Sequence, residues 1–459
     1  MPQVTLQQAL DLAAQLQQAG RPADAESLYR QILAQQPNHL FIIESLARLA
    51  LERGDPPAAE DLLRQAIRLS PGTGHLYGNL GMVLAAAGRF DDAIAAFNQA
   101  IVLQPKLPEA HNNLGNALRE QGRFEQAMSA YNKALSLRPN FPDARWNLGL
   151  LLLMQGDFER GWPLYEARRQ VTNFRFQTNL RGPQWEGFDK LTPGGSDLTG
   201  RTILLQSEQG FGDTIQFVRY APLLARRGAQ VMLQTGPELR RLLTGQCSVG
   251  QIISPGEPLP RFDFSSPLMT LPRILGTTIN SVPAEIPYLR PDPSLVESWR
   301  RRVSETGKRL KVGLTWAGRP THPGDRARSI PSALLSPLNS IRDCQFFSLQ
   351  KWKPAAVDQA PLPMIDWTSE LNDFADTAAL LENLDLVITV DTAVAHLAGA
   401  MSRRVWVLLP FVPDWRWMLN RADSPWYPTM QLFRQPTPGN WDSVINNVCQ
   451  ALRKYAGME

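Results

Sequence analysis

Prolines stand at Pro37, Pro71, Pro105 and Pro139, each 34 residues beyond the last. Leu12, Leu46, Leu80, Leu114 and Leu148 keep the same spacing, beside the small residues Ala13, Ala47, Gly81, Gly115 and Gly149. A second small series (Ala25, Ala59, Ala93, Ala127) and a bulky one (Tyr29, Leu63, Phe97, Tyr131, Tyr165) run in step with them. Gly20, Gly54, Gly88, Gly122 and Gly156 punctuate the middle of every unit. Chance does not align series in this way, and a period of this length marks stacked units that bury their apolar faces against one another. Each unit reads as helix, glycine-centred turn, helix, with proline closing the second helix.

The pattern resembles the tetratricopeptide repeat from about Leu6 to Pro139. A fifth unit, about 142–172, is degraded: Gly161 replaces the small alanine, Pro163 falls inside the second helix, and Arg168 occupies the last small position. It reads as the cap that hands the solenoid to the next domain. Asn79, Asn112, Asn113, Asn116 and Asn147 lie on first helices near the expected inner face. They are either donors and acceptors for an extended peptide or ordinary solvated helix positions. Self-association through the array is a further expectation.

Charge narrows the partners. The 459 residues carry a formal +4, divided as −1 for residues 1–172 and +5 for the rest. That excess is too dilute for bulk nucleic-acid binding and fits an anionic ligand in the second part. Cys247, Cys344 and Cys449 are odd in number and form no CxxC or zinc pattern, which suits a reducing compartment. The N-terminal stretch has no signal-peptide pattern, and no apolar run approaches the ~20 residues of a membrane span. A cytoplasmic protein is expected, without a membrane span.

Beyond a linker at 173–200, apolar strands alternate with helices. Strands are predicted at 201–206, 230–234, 251–254 and 262–268, and helices over 214–227 and 237–243. A second group has strands at 311–316, 345–349, 385–390 and 405–409, with helices near 331–338, 373–383, 392–401 and 441–455. Such alternation implies parallel sheets covered on both faces, here two α/β lobes at 201–290 and 291–459, with a cleft at the strand C-termini.

Three constellations fall at those strand ends. Gln209-Gly210-Phe211-Gly212-Asp213 follows the first strand, and Asp213 is read equally as a general base or as a helix cap. Asp391-Thr392-Ala393, with His396, opens the helix after DLVITV. It is either an anion site for pyrophosphate or a helix cap with a core histidine. The loop from Trp316 to Arg328 and Ser329 brings cations beside it, Arg328 being either a bidentate phosphate clamp or a solvated charge. Gln350 and Lys351 border the same edge. Trp415, Trp417, Trp426 and Tyr427 either stack on a base or pack between the lobes. No His/Cys/Asp cluster suggests a metal.

The order GFGDTIQFVRYAP, VGLTWAG, DRARSIP, FFSLQK, DLVITVDTAVAHLAGAM, PDWRWM and SPWYPT resembles glycosyltransferase family 9, the heptosyltransferase-like proteins, over about 200–455. The resemblance implies a GT-B fold of two Rossmann-like lobes, the donor nucleotide sugar being held mainly by the second. It also implies an inverting, metal-independent transfer needing no cofactor beyond that donor. Gly212-Asp213 matches the family's catalytic GD pair, and Asp391, Thr392 and His396 match its diphosphate segment, with Ala393 where the family has glycine. Arg328-Ser329-Ile330-Pro331 stands where the heptosyltransferases have lysine before a W-P pair. The layout is also similar to the O-GlcNAc transferases, which suggests a protein or peptide acceptor bound by the repeats. The alternatives are a non-enzymatic tetratricopeptide scaffold with a vestigial transferase half, or an enzyme acting on lipopolysaccharide.

Overall fold

The computed structural model describes residues 5–171, 182–187, 198–307, 309–322, 324–351 and 362–457. Two compact units follow one another, Met1–Leu151 and Leu152–Glu459.

The first unit is all helical. Its helices are α1 (Leu6–Gln18), α2 (Pro22–Gln35), α3 (Leu40–Glu52), α4 (Pro56–Leu69), α5 (Gly74–Ala86), α6 (Phe90–Leu103), α7 (Pro108–Glu120) and α8 (Phe124–Leu137). Helix α9 (Pro142–Gln155) runs across the unit boundary. The 34-residue period is a packing period. Ala25, Ala59, Ala93 and Ala127 are wholly buried, as are Phe97 and Tyr131 to within a percent. A Cβ on Gly81 would lie 2.6 Å from the Phe97 ring, so glycine here allows the helix pair to close on the aromatic. The turn glycines Gly20, Gly54, Gly88, Gly122 and Gly156 all have φ between +72° and +88°, the left-handed region that glycine adopts without strain.

The second unit opens with α10 (Phe158–Tyr165) and a 3₁₀ turn, Glu166–Gln170. The degraded fifth repeat is therefore no simple cap. The Trp162 indole donates to the Thr277 carbonyl at 2.9 Å, and Arg168 is buried against Glu208. Its odd residues serve the α/β region. Of the expected linker, Gln184 pairs with Ser265 in an isolated bridge and Trp185 is buried; 173–181 and 188–197 lie outside the described residues.

Two wholly parallel sheets follow. The first contains β1 (Thr202–Gln206), β2 (Gln230–Gln234), β3 (Val249–Ile253) and β4 (Phe264–Pro267) in the order β3-β2-β1-β4. Its helices are α11 (Phe211–Phe217), α12 (Ala221–Ala225), α13 (Pro237–Leu243) and α14 (Leu271–Ile274). After α15 (Pro293–Ser304), the second sheet contains β5 (Leu310–Thr315), β6 (Cys344–Ser348), β7 (Met364–Asp366), β8 (Leu386–Val390), β9 (Val405–Leu409) and β10 (Met430–Arg434). Their order is β10-β9-β8-β5-β6-β7. Its helices are α16 (Asp325–Arg328), α17 (Phe374–Glu382), α18 (Ala393–Ala400) and α19 (Trp441–Tyr455). Both edge strands, β7 and β10, escape the sequence reading. The helix expected over 214–227 breaks into α11, a 3₁₀ turn and α12 ahead of Pro222, and the one near 331–338 is a 3₁₀ segment containing Pro337.

In each sheet the chain lays strands on one side of its first strand and then returns to the other. The reversal falls between β1 and β4 in the first sheet and between β5 and β8 in the second. Loops leaving neighbouring strands part at such points and open a crevice at the strand C-termini. The Gln209–Asp213 segment leaves β1, and the Trp316–Arg328 and Asp391–Thr392 segments leave β5 and β8. No helix among the described residues is long and apolar enough to cross a membrane.

Candidate functional site

The starts of α11 and α18, one from each sheet, meet face to face. Gly212 makes this possible: a Cβ there would lie 2.8 Å from His396 Cδ2 and 3.4 Å from Ala393 Cα. His396 has nowhere to go. It is buried, its Nδ1 lies 3.0 Å from the Tyr427 hydroxyl, and its ring stacks on Trp417 at 5.4 Å. Burial, with Arg416 and Arg219 nearby, holds its imidazole well below the usual range and so neutral. His396 is thus a packed core residue at the helix contact. Gly212→Ala should therefore push the two helices apart and lower stability by about 1–3 kcal/mol. A thermal melt unchanged from wild type would contradict this contact.

Around that contact the charges gather. Asp213 Oδ2 accepts from the Gly210 N–H at 2.8 Å, and Oδ1 is paired with Arg416 Nη2. Asp213 is the third residue of α11, not its cap, and its carboxylate ties back to the residue before the helix. Burial pushes its carboxyl above the ordinary value against the pull of Arg416. Arg328 Nη1 donates to the Asp391 carbonyl at 3.1 Å, which brings the α16 cation onto the opening of α18. Burial, aided by the charge of Asp414 and opposed by Arg328, pushes the Asp391 carboxyl up to about 6. Thr392 is the N-cap residue of α18, its hydroxyl 3.1 Å from that of Thr389. The Ala393 and Val394 amides open α18 at its positive end, as at any helix start, while the Ala395 amide already donates to the Thr392 carbonyl at 3.0 Å.

Other expected site residues are occupied elsewhere. Gln350 is buried and clamps the loop after β5: its Oε1 accepts from the Trp316 and Ala317 amides, and its Nε2 donates to the Ala317 carbonyl at 3.0 Å. Ser329 Oγ accepts from the Gly318 amide at 3.0 Å. Lys351 Nζ donates to the Thr368 and Leu371 carbonyls and does not join Arg328. The position of Lys351 at a strand end suggested the cleft; neighbouring carbonyls decide its direction. Gln209 Nε2 donates to the Tyr165 hydroxyl at 3.3 Å. Trp415, Trp417, Trp426 and Tyr427 are all buried; Trp415 packs on Trp162, Trp426 on Phe158 and Phe217, and Trp417 and Tyr427 on His396, so packing, not base stacking, is their role in this geometry.

The repeat asparagines are not simply solvated. Asn147 Nδ2 donates to Asn112 Oδ1 at 3.0 Å across consecutive repeats, and Asn112 Nδ2 donates to Asn113 Oδ1 at 3.3 Å. Asn116 accepts from the Tyr131 hydroxyl at 2.8 Å, while Asn79 is half-buried. Sequence reasoning missed Arg416 and Asp414. The PDWRWM stretch drew notice for its tryptophans, and the arginine between them was its informative residue.

Comparison with known proteins bears on the first unit above all. Tetratricopeptide repeat models match residues 6–31, 44–108 and 96–128, and a TPR repeat model matches 115–156. Protein FlbA of Caulobacter vibrioides is 27% identical over 325 residues, covering 64% of this chain and 52% of its own length. The chain thus spans about half the length of that curated relative. Among solved structures, PilF of Pseudomonas aeruginosa is 18% identical with a TM-score of 0.36, covering 52% of this chain and 92% of that one. TTC0263, a thermophilic TPR protein of Thermus thermophilus, is 23% identical with a TM-score of 0.33, covering 36% and 92%. The N-terminal part of this chain is an array of tetratricopeptide repeats, followed by a region of parallel sheets.

Proposed function

We propose that the two-sheet region is an inverting, metal-independent glycosyltransferase of the GT-B kind, and that the repeats bind its polypeptide acceptor. The observation that supports this best is the meeting of α11 and α18 at the two strand-order reversals. It sets a carboxylate, Asp213, beside a helix start flanked by Arg328. A nucleoside diphosphate sugar would place its phosphates on the α18 amides, the Thr392 hydroxyl and Arg328. Asp213 would take the proton of the acceptor hydroxyl as that oxygen bonds the anomeric carbon. The bond from that carbon to the diphosphate breaks, and the bonding pair leaves with the phosphate oxygen. Arg328 and the helix end stabilise the negative charge that develops there.

The resemblance in the DTAVAH and GFGD segments adds to this reading. Lys351, Gln350 and Ser329 have no direct part in it, since each is spent on the loops that shape the cleft. Thermal melts with UDP-, ADP-, GDP- and CDP-sugars test it. A donor at 100 times its Kd should stabilise the protein by about 2.7 kcal/mol. Absence of any shift with all four would favour the scaffold reading.

A further inference from the structure

We propose that Arg416 is a positioning residue for Asp213, holding the carboxylate across the cleft in the orientation and charge state that proton abstraction needs. The inference deepens the transferase reading and rests on it for its catalytic consequence. Arg416 comes from the second sheet's lobe, in the 3₁₀ turn Trp415–Trp417, and Asp213 from the first. Its guanidinium touches α11 at two points on one helix face: Nη2 pairs with Asp213, and Nε donates to Gln216 Oε1 at 2.8 Å. Residues three apart share a face, so one planar fork spans both.

The fork is itself held. Asp414 Oδ1 accepts from Arg416 Nη1 at 2.8 Å and from the Arg416 amide at 3.0 Å, so one carboxylate both caps the turn and aims the side chain. The Trp415 ring lies 4.4 Å from the guanidinium carbon, and the Arg416 side chain is only 7% exposed. The two Asp213 oxygens are thereby distinguished, Oδ1 on Arg416 and Oδ2 on the Gly210 amide. Each keeps a lone-pair direction for an incoming hydroxyl.

The surroundings explain why a cation is needed. Asp213 on α11 faces Asp414 from the 3₁₀ turn, and Asp391 stands before α18. Arg328 on α16 offsets Asp391. Tyr165 on α10, the buried, neutral His396 on α18 and His322 in the loop after β5, which burial and Arg328 hold below the usual imidazole range, also stand around it, with Glu208 already paired to Arg168. Without Arg416, Asp213 would feel the charge of Asp414 with its own counter-cation gone.

Two variants and two readouts test this in the full chain. In Arg416→Met, the pH dependence of the melting-temperature difference from the matching Asp213→Asn double variant reports Asp213 without any turnover. Burial raises the folded carboxyl above its unfolded value. Ionised Asp213 therefore weighs against the fold as pH climbs through the unfolded pKa, and the effect levels off above the folded one. Loss of Arg416 should move that levelling up by about one pH unit or more. The acid limb of kcat should move up equally, with the donor KM unchanged. In Arg416→Lys the charge stays but the fork to Gln216 is lost, so the limb should stay in place while kcat falls. An unmoved levelling point in Arg416→Met, or full kcat in Arg416→Lys, overturns the proposal. A moved levelling point with no turnover in any form, wild type included, overturns the transferase reading and leaves the Asp213–Arg416 coupling standing.

Discussion

Replacing Arg168 with alanine should cost the second unit about 3–5 kcal/mol of stability, on the order of a 10 °C fall in its melting temperature. The side chains of Arg168 and Glu208 are 1% and 2% exposed, and Nη2 reaches the two Glu208 oxygens at 3.1 and 2.9 Å and the Thr270 hydroxyl at 2.9 Å. Nη1 meets Glu166 at 2.7 Å. Removing the arginine strands a carboxylate that burial already pushes up. With its folded pKa raised further, the deficit should be greatest at neutral pH. It should shrink as pH falls through the folded value toward the unfolded one. Arg168→Met with Glu208→Leu should recover most of the loss, because an apolar pair of similar volume needs no charge compensation. Urea unfolding followed by tryptophan fluorescence reads all three forms. A single variant as stable as wild type would contradict the pair's role in seating the 3₁₀ turn after α10 on the first sheet.

The second large effect is on chemistry. On the transferase reading, Asp213→Asn should lower transfer by about 10²–10⁴-fold, the usual worth of a positioned base, while leaving nucleoside diphosphate affinity in place. Asparagine keeps an acceptor for the Gly210 amide and so preserves the start of α11, but it cannot take a proton at neutral pH. In the wild type, activity should rise with pH as the raised Asp213 carboxyl ionises, then level off. Retained turnover in Asp213→Asn would remove the residue from the base role whatever the donor.

The repeats were readable because one packing problem recurs every 34 residues, and identical solutions leave aligned alanines, aromatics and positive-φ glycines. Buried parallel strands were readable as short apolar runs. β7, three residues long, and β10 carry partly exposed or polar positions at sheet edges, and so lack that signal. In the site, Asp213 and Asp391 were visible because each follows an apolar strand and precedes a helix, a local pattern. Arg416 was not, since its partner lies 203 residues earlier in the chain. Arg168 shows the same blindness from the other side. As a member of the repeat it looks like a defect, and its distant partners Glu208 and Thr270, 40 and 102 residues on, explain it. The Asn112–Asn147 bond joins equivalent faces of neighbouring repeats, and their periodic placement suggested a shared face without showing that they would satisfy one another.

The account stands or falls on the anion site proposed at Arg328 and the start of α18. Calorimetric titration of the full chain with UDP, ADP, GDP and CDP should find saturable binding of at least one. Arg328→Ala should weaken it about tenfold or more, the loss of one charge-assisted contact, and Asp213→Asn should leave it unchanged. Binding of none of the four, or equal affinity in Arg328→Ala and wild type, would contradict it.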